Sequence, residues 1–154
     1  MMGKIRGFEI AKGFEGKDIN LPKRKTKYAA GYDIEAAEDV TIPTFKAGMN
    51  PTLIKTGIKV YMQEDEAFML YNRSSNPKKK GLVMANSVGV IDKDYYGNED
   101  NDGHIMFAYY NFKEEITIKK GEVIGQGVFQ KYFIADDDDA LEIRKGGFGS
   151  TNKQ

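Results

Sequence analysis

From Val83 to Gly97 the chain reads V-M-A-N-S-V-G-V-I-D-K-D-Y-Y-G, and this stretch decides how the rest is read. Apolar arms flank a polar middle made of Asn86, Ser87 and Gly89. Such a pattern predicts a β-hairpin with part of its backbone left free to bind something. Asp92 follows directly on Val90-Ile91, so its carboxylate is expected to leave an apolar environment, which makes it a candidate general base. The same residues also fit an ordinary hairpin with a solvated turn.

Outward from this stretch, the chain is a series of short apolar runs cut by glycine and polar turns. Residues 4–10 alternate polar and apolar and predict an opening strand; residues 12–27 are charged and predict a loop. Further strands are expected over 28–37, 40–42, 52–62 with a bend at Gly57, 67–71, 105–112, 116–118 and 123–133. Only residues 76–81, N-P-K-K-K-G, suggest a helical turn, with Pro77 near its start. Many short strands and almost no helix predict an all-β, single-domain jelly-roll-like sandwich or barrel. Residues 1–135 are expected to form the β-domain. Residues 136–154, opening on four aspartates and ending glycine-rich, are expected to form a flexible C-terminal arm.

Composition narrows the chemistry. The 154 residues fit one domain, and the 23 basic and 23 acidic side chains balance, so nothing pulls the chain toward nucleic acid or an anionic membrane. The basic run Lys23, Arg24, Lys25, Lys27 lacks the interleaved aromatics of a nucleic-acid surface. There is no cysteine, which removes thiolate nucleophiles and cysteine-ligated metals. With no signal-like or membrane-length apolar run, a cytoplasmic protein is expected. His104 is the single histidine, placed at a loop–strand junction where a surface position is expected, so a histidine-based triad is a poor reading.

What remains suits phosphate-ester chemistry. Arg73 offers a forked, permanent charge to phosphate oxygens, and Ser74 and Ser75 add hydroxyl donors. Asp33 or Asp92 can hold Mg²⁺ or activate water. The segment Arg144-Lys145-Gly146-Gly147 can fold over a polyphosphate, and Phe148 can cover a base.

In order along the chain, these pieces resemble the trimeric dUTP pyrophosphatases (dUTPases), of the type found in Gram-positive bacteria and their phages. The first motif is similar to Ala30-Gly31-Tyr32-Asp33-Ile34-Glu35-Ala36, and the second to Arg73-Ser74-Ser75 followed by Lys80-Gly81. The third and most specific is the opening stretch, with Asn86, Gly89-Val90-Ile91-Asp92, Asp94-Tyr95 and Gly97. The fourth is Gly121 to Gln126, and the fifth is Arg144 with Gly146-Gly147-Phe148-Gly149-Ser150-Thr151.

The resemblance implies hydrolysis of dUTP to dUMP and pyrophosphate, limiting uracil in DNA, with Asp92 activating the water. It implies that Tyr95 lies under the deoxyribose and excludes a 2′-hydroxyl. Asn86 and the backbone of Gly89, Val90 and Ile91 would read uracil. Arg73, Ser74, Ser75 and Gln126 would hold phosphates and water, and Asp33 would act near Mg²⁺ through metal-bound water. Arg144, Phe148, Gly149 and Ser150 would close the site, and a homotrimer with shared active sites would form. Four positions depart from the family pattern: Asn72 replaces a proline, Val123 an arginine and Asn152 a glycine, and Lys145 alone separates Arg144 from Gly146. Two other functions fit the same fold: a nucleotide-binding regulator and a dCTP deaminase.

Overall fold

A computed structural model describes residues 3–146. The strands are β1 (Gly7–Ile10), β2 (Tyr32–Glu35), β3 (Val40–Ile42), β4 (Thr52–Lys55), β5 (Ile58–Tyr61) and β6 (Glu66–Asn72). One helix, α1 (Ser75–Lys80), precedes β7 (Leu82–Met84) and β8 (Gly89–Ile91); after them come β9 (Met106–Asn111), β10 (Ile116–Ile118) and β11 (Val123–Lys131). A four-stranded antiparallel sheet, ordered β2-β11-β6-β8, packs against a three-stranded sheet ordered β4-β9-β7. The pairs β1–β5 and β3–β10 close the flanks. This is the all-β, jelly-roll-like sandwich expected. Among the described residues no helix is long and apolar enough to cross a membrane.

Alternation along the strands builds one core. Ile34, Phe68, Leu70, Ile91 and Ile124 from the larger sheet meet Ile54, Leu82, Met84, Phe107 and Tyr109 from the smaller. Phe68 is fully buried and stands at the centre of an aromatic group with Phe8 and Phe129. Truncating such a side chain to alanine costs ~3–5 kcal/mol.

One expectation fails at the opening stretch. The arms on either side of Asn86 do not pair with each other: β7 pairs with β9, and β8 pairs with β6. Between them the chain crosses from one sheet to the other in a tight turn, with Ser87 at φ 65 and the Ser87 N–H donating to Met84 O at 3.1 Å. Alternation tells which residues face the core, but it does not name the neighbouring strand. Gly89 decides it, because its missing side chain is the space that Leu70 of β6 fills. The expected free backbone survives this correction. As the outer strand of its sheet, β8 turns alternate backbone groups away from β6.

Several boundaries are tighter than read from the sequence. The first strand begins at Gly7, the second spans only Tyr32–Glu35, and the last ends at Lys131. The bend between β4 and β5 falls at Gly57, where φ is 72. The helical turn is one residue longer at its start, and Gly81 closes it in the left-handed region.

Candidate active site

The candidate residues fall into two groups at opposite ends of β6. At the first end, Gln126 of β11 lies abreast of Asp33 on β2 and of Tyr71 on β6. Gly31 leaves the room that the Gln126 amide occupies, since a Cβ there would collide with it. Gln126 Nε2 donates to Asn72 O at 3.2 Å, and Arg73 Nη1 donates to Val123 O at 3.2 Å. Ser74 and Ser75 follow at the entry to α1. Lys25 Nζ stands 3.8 Å from the Asp33 carboxylate, in water-exposed surroundings that make the pair weak.

This end is held from below by residues that the sequence reading passed over. Asn72 Oδ1 accepts from the Arg73 N–H (2.8 Å) and Asn76 Nδ2 (2.7 Å), and the Tyr109 hydroxyl oxygen lies 3.1 Å from it. Its Nδ2 donates to Leu82 O. Asn76, itself buried, also donates to Ile124 O at 2.9 Å, and the Tyr109 hydroxyl donates to the same carbonyl at 2.6 Å. Burial pushes the Tyr109 phenol far up, so it stays a neutral donor. A proline at position 72 cannot make these bonds. The departure therefore replaces a rigid residue with a hydrogen-bonded hub.

At the other end, Asp92 leaves β8 beside Ala67, and a short 3₁₀ turn, Lys93–Tyr95, presents Asp94 and Tyr95. Arg144 comes back from the arm onto this turn. Its Nη2 lies 2.9 Å from Asp92 Oδ2, its Nε lies 3.4 Å from Asp94 Oδ1, and its backbone N–H donates to Asp94 Oδ2 at 2.7 Å. The guanidinium carbon sits 5.8 Å from the centre of the Tyr95 ring, a cation–π contact. The Arg144 side chain is only 11% exposed, whereas Asp92 is 52% exposed. Asp92 thus meets a cation and water, not the apolar environment expected for it. Burial raises the pKa of the Tyr95 phenol, with a bond from Asn101 and the Arg144 charge opposing.

Between the two groups lies the length of β6. Asp92 flanks Ala67 and Arg73 follows Asn72, so six residue steps separate them, ~20 Å at strand rise. Asn86 is exposed in the crossing turn at the far side of β8. Phe148, Gly149 and Ser150 lie outside the described residues. Among the described residues, no three His, Cys, Asp or Glu side chains converge as a metal cage. A single carboxylate at Asp33 suits an ion that keeps its waters and rides on substrate phosphates, the usual manner of Mg²⁺.

His104 corrects a further expectation. It is buried, not on the surface: its Nε2 accepts the Gly57 N–H at 2.9 Å and its ring lies against Phe14. Desolvation lowers its pKa to about 4, which keeps the ring a neutral acceptor for the Gly57 N–H.

The family model for dUTPase matches residues 17–152. The chain belongs to the dUTPase family. It is 55% identical over 151 residues to the deoxyuridine 5′-triphosphate nucleotidohydrolase of Lactococcus lactis subsp. lactis, covering 96% of this chain and 98% of that one. The Escherichia coli O9:H4 enzyme of the same name is 32% identical over 146 residues, covering 90% and 91%. The crystal structure of the Streptococcus mutans dUTPase aligns with TM-score 0.78 and 44% identity over 84% of this chain and 98% of its own. The dUTPase of phage phi11 of S. aureus, described for its coordination of a structural Mg(II) ion, aligns with TM-score 0.71 over 90% and 98%; at 20% identity it shows likeness of fold alone. Membership makes this dUTPase a hydrolase of nucleotide metabolism, as the five motifs implied.

Proposed function

We propose that this dUTPase hydrolyses dUTP to dUMP and pyrophosphate at a site completed by a second copy of the chain. The observation that carries the reading is the ~20 Å between Asp92 and Arg73 along β6. A base and the groups that hold the phosphates must both come within ~3 Å of one substrate. Anchored ~20 Å apart on one chain, they do not converge on one reacting phosphorus, whereas the Asp92 end of one copy set against the Arg73 end of another would bring both to one phosphate chain. Exposed apolar residues on the outer side of the three-stranded sheet, Leu53 and Val83 with Phe45 and Phe112 beside Tyr110, support association into the homotrimer the family pattern implies.

In this mechanism Asp92 takes the proton of a water that attacks the α-phosphorus. A bond forms from the water oxygen to phosphorus, and the bond to the β-bridging oxygen breaks as pyrophosphate leaves. Arg73, Ser74 and Ser75 hold phosphate oxygens, and Gln126 orients the water. Asp33 would hold Mg²⁺ through metal-bound water, and the ion would supply charge screening for the triphosphate. The free edge of β8 at Gly89, Val90 and Ile91, with Asn86, reads uracil, and a 5-methyl group is rejected by fixed backbone. Tyr95 carries the deoxyribose. Arg144 leaves Asp92 for the γ-phosphate, a more highly charged partner, which frees the carboxylate to meet water, and Phe148, Gly149 and Ser150 complete the closure. The products fit a cytoplasmic role in removing dUTP from DNA precursors and supplying dUMP.

A panel of nucleotides assayed for pyrophosphate release with and without Mg²⁺ tests this. Release is expected from dUTP and very little from UTP, dTTP or dCTP. Asp92→Asn should lower turnover by ~10²–10⁴ while dUTP binding persists. Normal turnover in that variant would overturn the assignment of the base; ammonia release from dCTP would replace the reaction itself.

A further inference from the structure

The polar stretch Asn98–Gly103 takes no part in any of the motifs, yet Asn98 is buried and Asn101 half-buried, while Glu99 and Asp100 face outward. Asn98 is only 7% exposed; its Nδ2 donates to Tyr95 O at 2.7 Å and to Asn101 Oδ1 at 2.8 Å. Its Oδ1 accepts the N–H groups of Asp100 and Asn101, which closes the turn on itself. Asn101 Oδ1 accepts the Gly103 N–H at 3.1 Å, which leaves Asn101 Nδ2 to donate to the Tyr95 phenol oxygen at 2.9 Å. The phenol in turn donates to His104 O at 2.7 Å. Gly103 presses on the same residue from behind: a Cβ there would stand 2.8 Å from Tyr95 O and 2.9 Å from Tyr96 Cα.

Tyr95 is therefore gripped at its carbonyl by Asn98 and at its hydroxyl by Asn101 and His104. Sliding or tilting of the ring would break one of these bonds. Rejecting an added hydroxyl through packing alone is a weak device, worth ~10²-fold in an ordinary pocket, and it fails if the wall can retreat by a few tenths of an ångström. We infer that Asn101 is a positioning residue for sugar selection: through the Tyr95 hydroxyl it fixes the depth of the ring, and so the rejection of a ribose. The inference rests on the reading of Tyr95 as the sugar platform. The turn also touches the arm, since the Glu99 N–H donates to Lys145 O at 3.3 Å, so the brace and the closing segment are joined.

Three variants test it: Asn101→Asp, Tyr95→Phe and Tyr95→Leu, each measured for kcat/KM with dUTP and with UTP. Asn101→Asp keeps an acceptor for Gly103 and Asn98 but removes the N–H donor. The phenol oxygen then loses the bond it accepts, and its one proton is contested between the new carboxylate and His104 O. Tyr95→Phe deletes the same bond together with the one from the phenol to His104 O. Both should raise UTP use relative to dUTP, Asn101→Asp by about tenfold, the scale of one lost hydrogen bond on a positioned group, and Tyr95→Phe by at least as much; the double variant should add nothing to Tyr95→Phe. Turnover of dUTP by Asn101→Asp should stay within about twofold of the parent, so a general loosening of the fold would not mimic the result. If Asn101→Asp and Tyr95→Phe keep the parent ratio while Tyr95→Leu raises it, the brace is wrong and the platform stands. If Tyr95→Leu also keeps the parent ratio, the platform reading itself falls. Should Asn101→Asp not fold, Asn101→Ala, which removes the donor and leaves the phenol's bond to His104 O, takes its place.

Discussion

The two ends of β6 are built on different physical principles. At the Arg73 end, the arginine turn is tied to the core through Asn72, Asn76 and Tyr109, whose bonds are buried or part-buried. At the Asp92 end, the acidic turn is closed by an ion pair with Arg144, reached along an arm whose residues 133–141 are exposed. One end is a fixed socket, because buried hydrogen bonds are costly to break. The other is an ion pair between a largely covered arginine and a half-exposed aspartate, held by charge, which a polyphosphate can outcompete. The difference suits a division of labour in which the first end receives a substrate and the second changes partners around it.

The sharpest way to break this comparison is to mix the ends. Asp92→Asn and Arg73→Ala should each be almost inactive alone. When the two are unfolded, combined in equal amounts and refolded, about a quarter of the parent activity should return, because random assortment pairs an intact Asp92 end with an intact Arg73 end in that share of sites. No recovery would place both ends of a site on one chain. The measurement is pyrophosphate release against a control in which each variant is refolded by itself.

A smaller effect comes from His104, whose ring faces Gly57 and Phe14 while only its backbone carbonyl meets Tyr95. Its folded pKa of about 4 is below the ordinary 6.5, so the unfolded chain binds the extra proton first. Stability should be complete above about pH 6.5 and fall as pH drops toward 4, by at most ~3 kcal/mol. Denaturant unfolding of the parent and of His104→Asn at pH 7.5 and pH 5 checks the sign: the parent should lose more between them. The smallest effect is expected at the socket. Asn72→Ala should cost ~1–3 kcal/mol by leaving buried partners unmet, and it should raise KM for dUTP more than it lowers kcat. Equal loss in both would mean that the hub does more than hold the phosphate donors.

Much of this was legible in the residues. The strand runs, the bend at Gly57 and the helical turn after Ser74-Ser75 carry local signals in glycine, proline and alternation. Asp33, Arg73 and Gln126 lie in separate motifs, and cross-strand register brings them to one end. The pairing of β7 and β8 was not legible, because alternation fixes a buried face and leaves the partner strand open. His104 misled because a lone polar ring at a loop–strand junction looks the same whether it accepts a buried amide or faces water. Asn72 had a faint signal, a polar residue closing an apolar strand, but its partners Asn76 and Tyr109 are set by packing across two sheets. Phe148 to Ser150 lie beyond the described residues.

The free edge of β8 has a further consequence, in the realm of solubility. A strand that reads a ligand with its backbone also offers that backbone to any passing chain, the usual starting point of sheet-to-sheet aggregation. Here the exposed edge is three residues long, begins at a glycine, and runs at once into Asp92, Lys93 and Asp94. That is too short to template a stable foreign strand, and its charges repel one in register. The same acidic turn that would serve catalysis also guards the edge against misassembly.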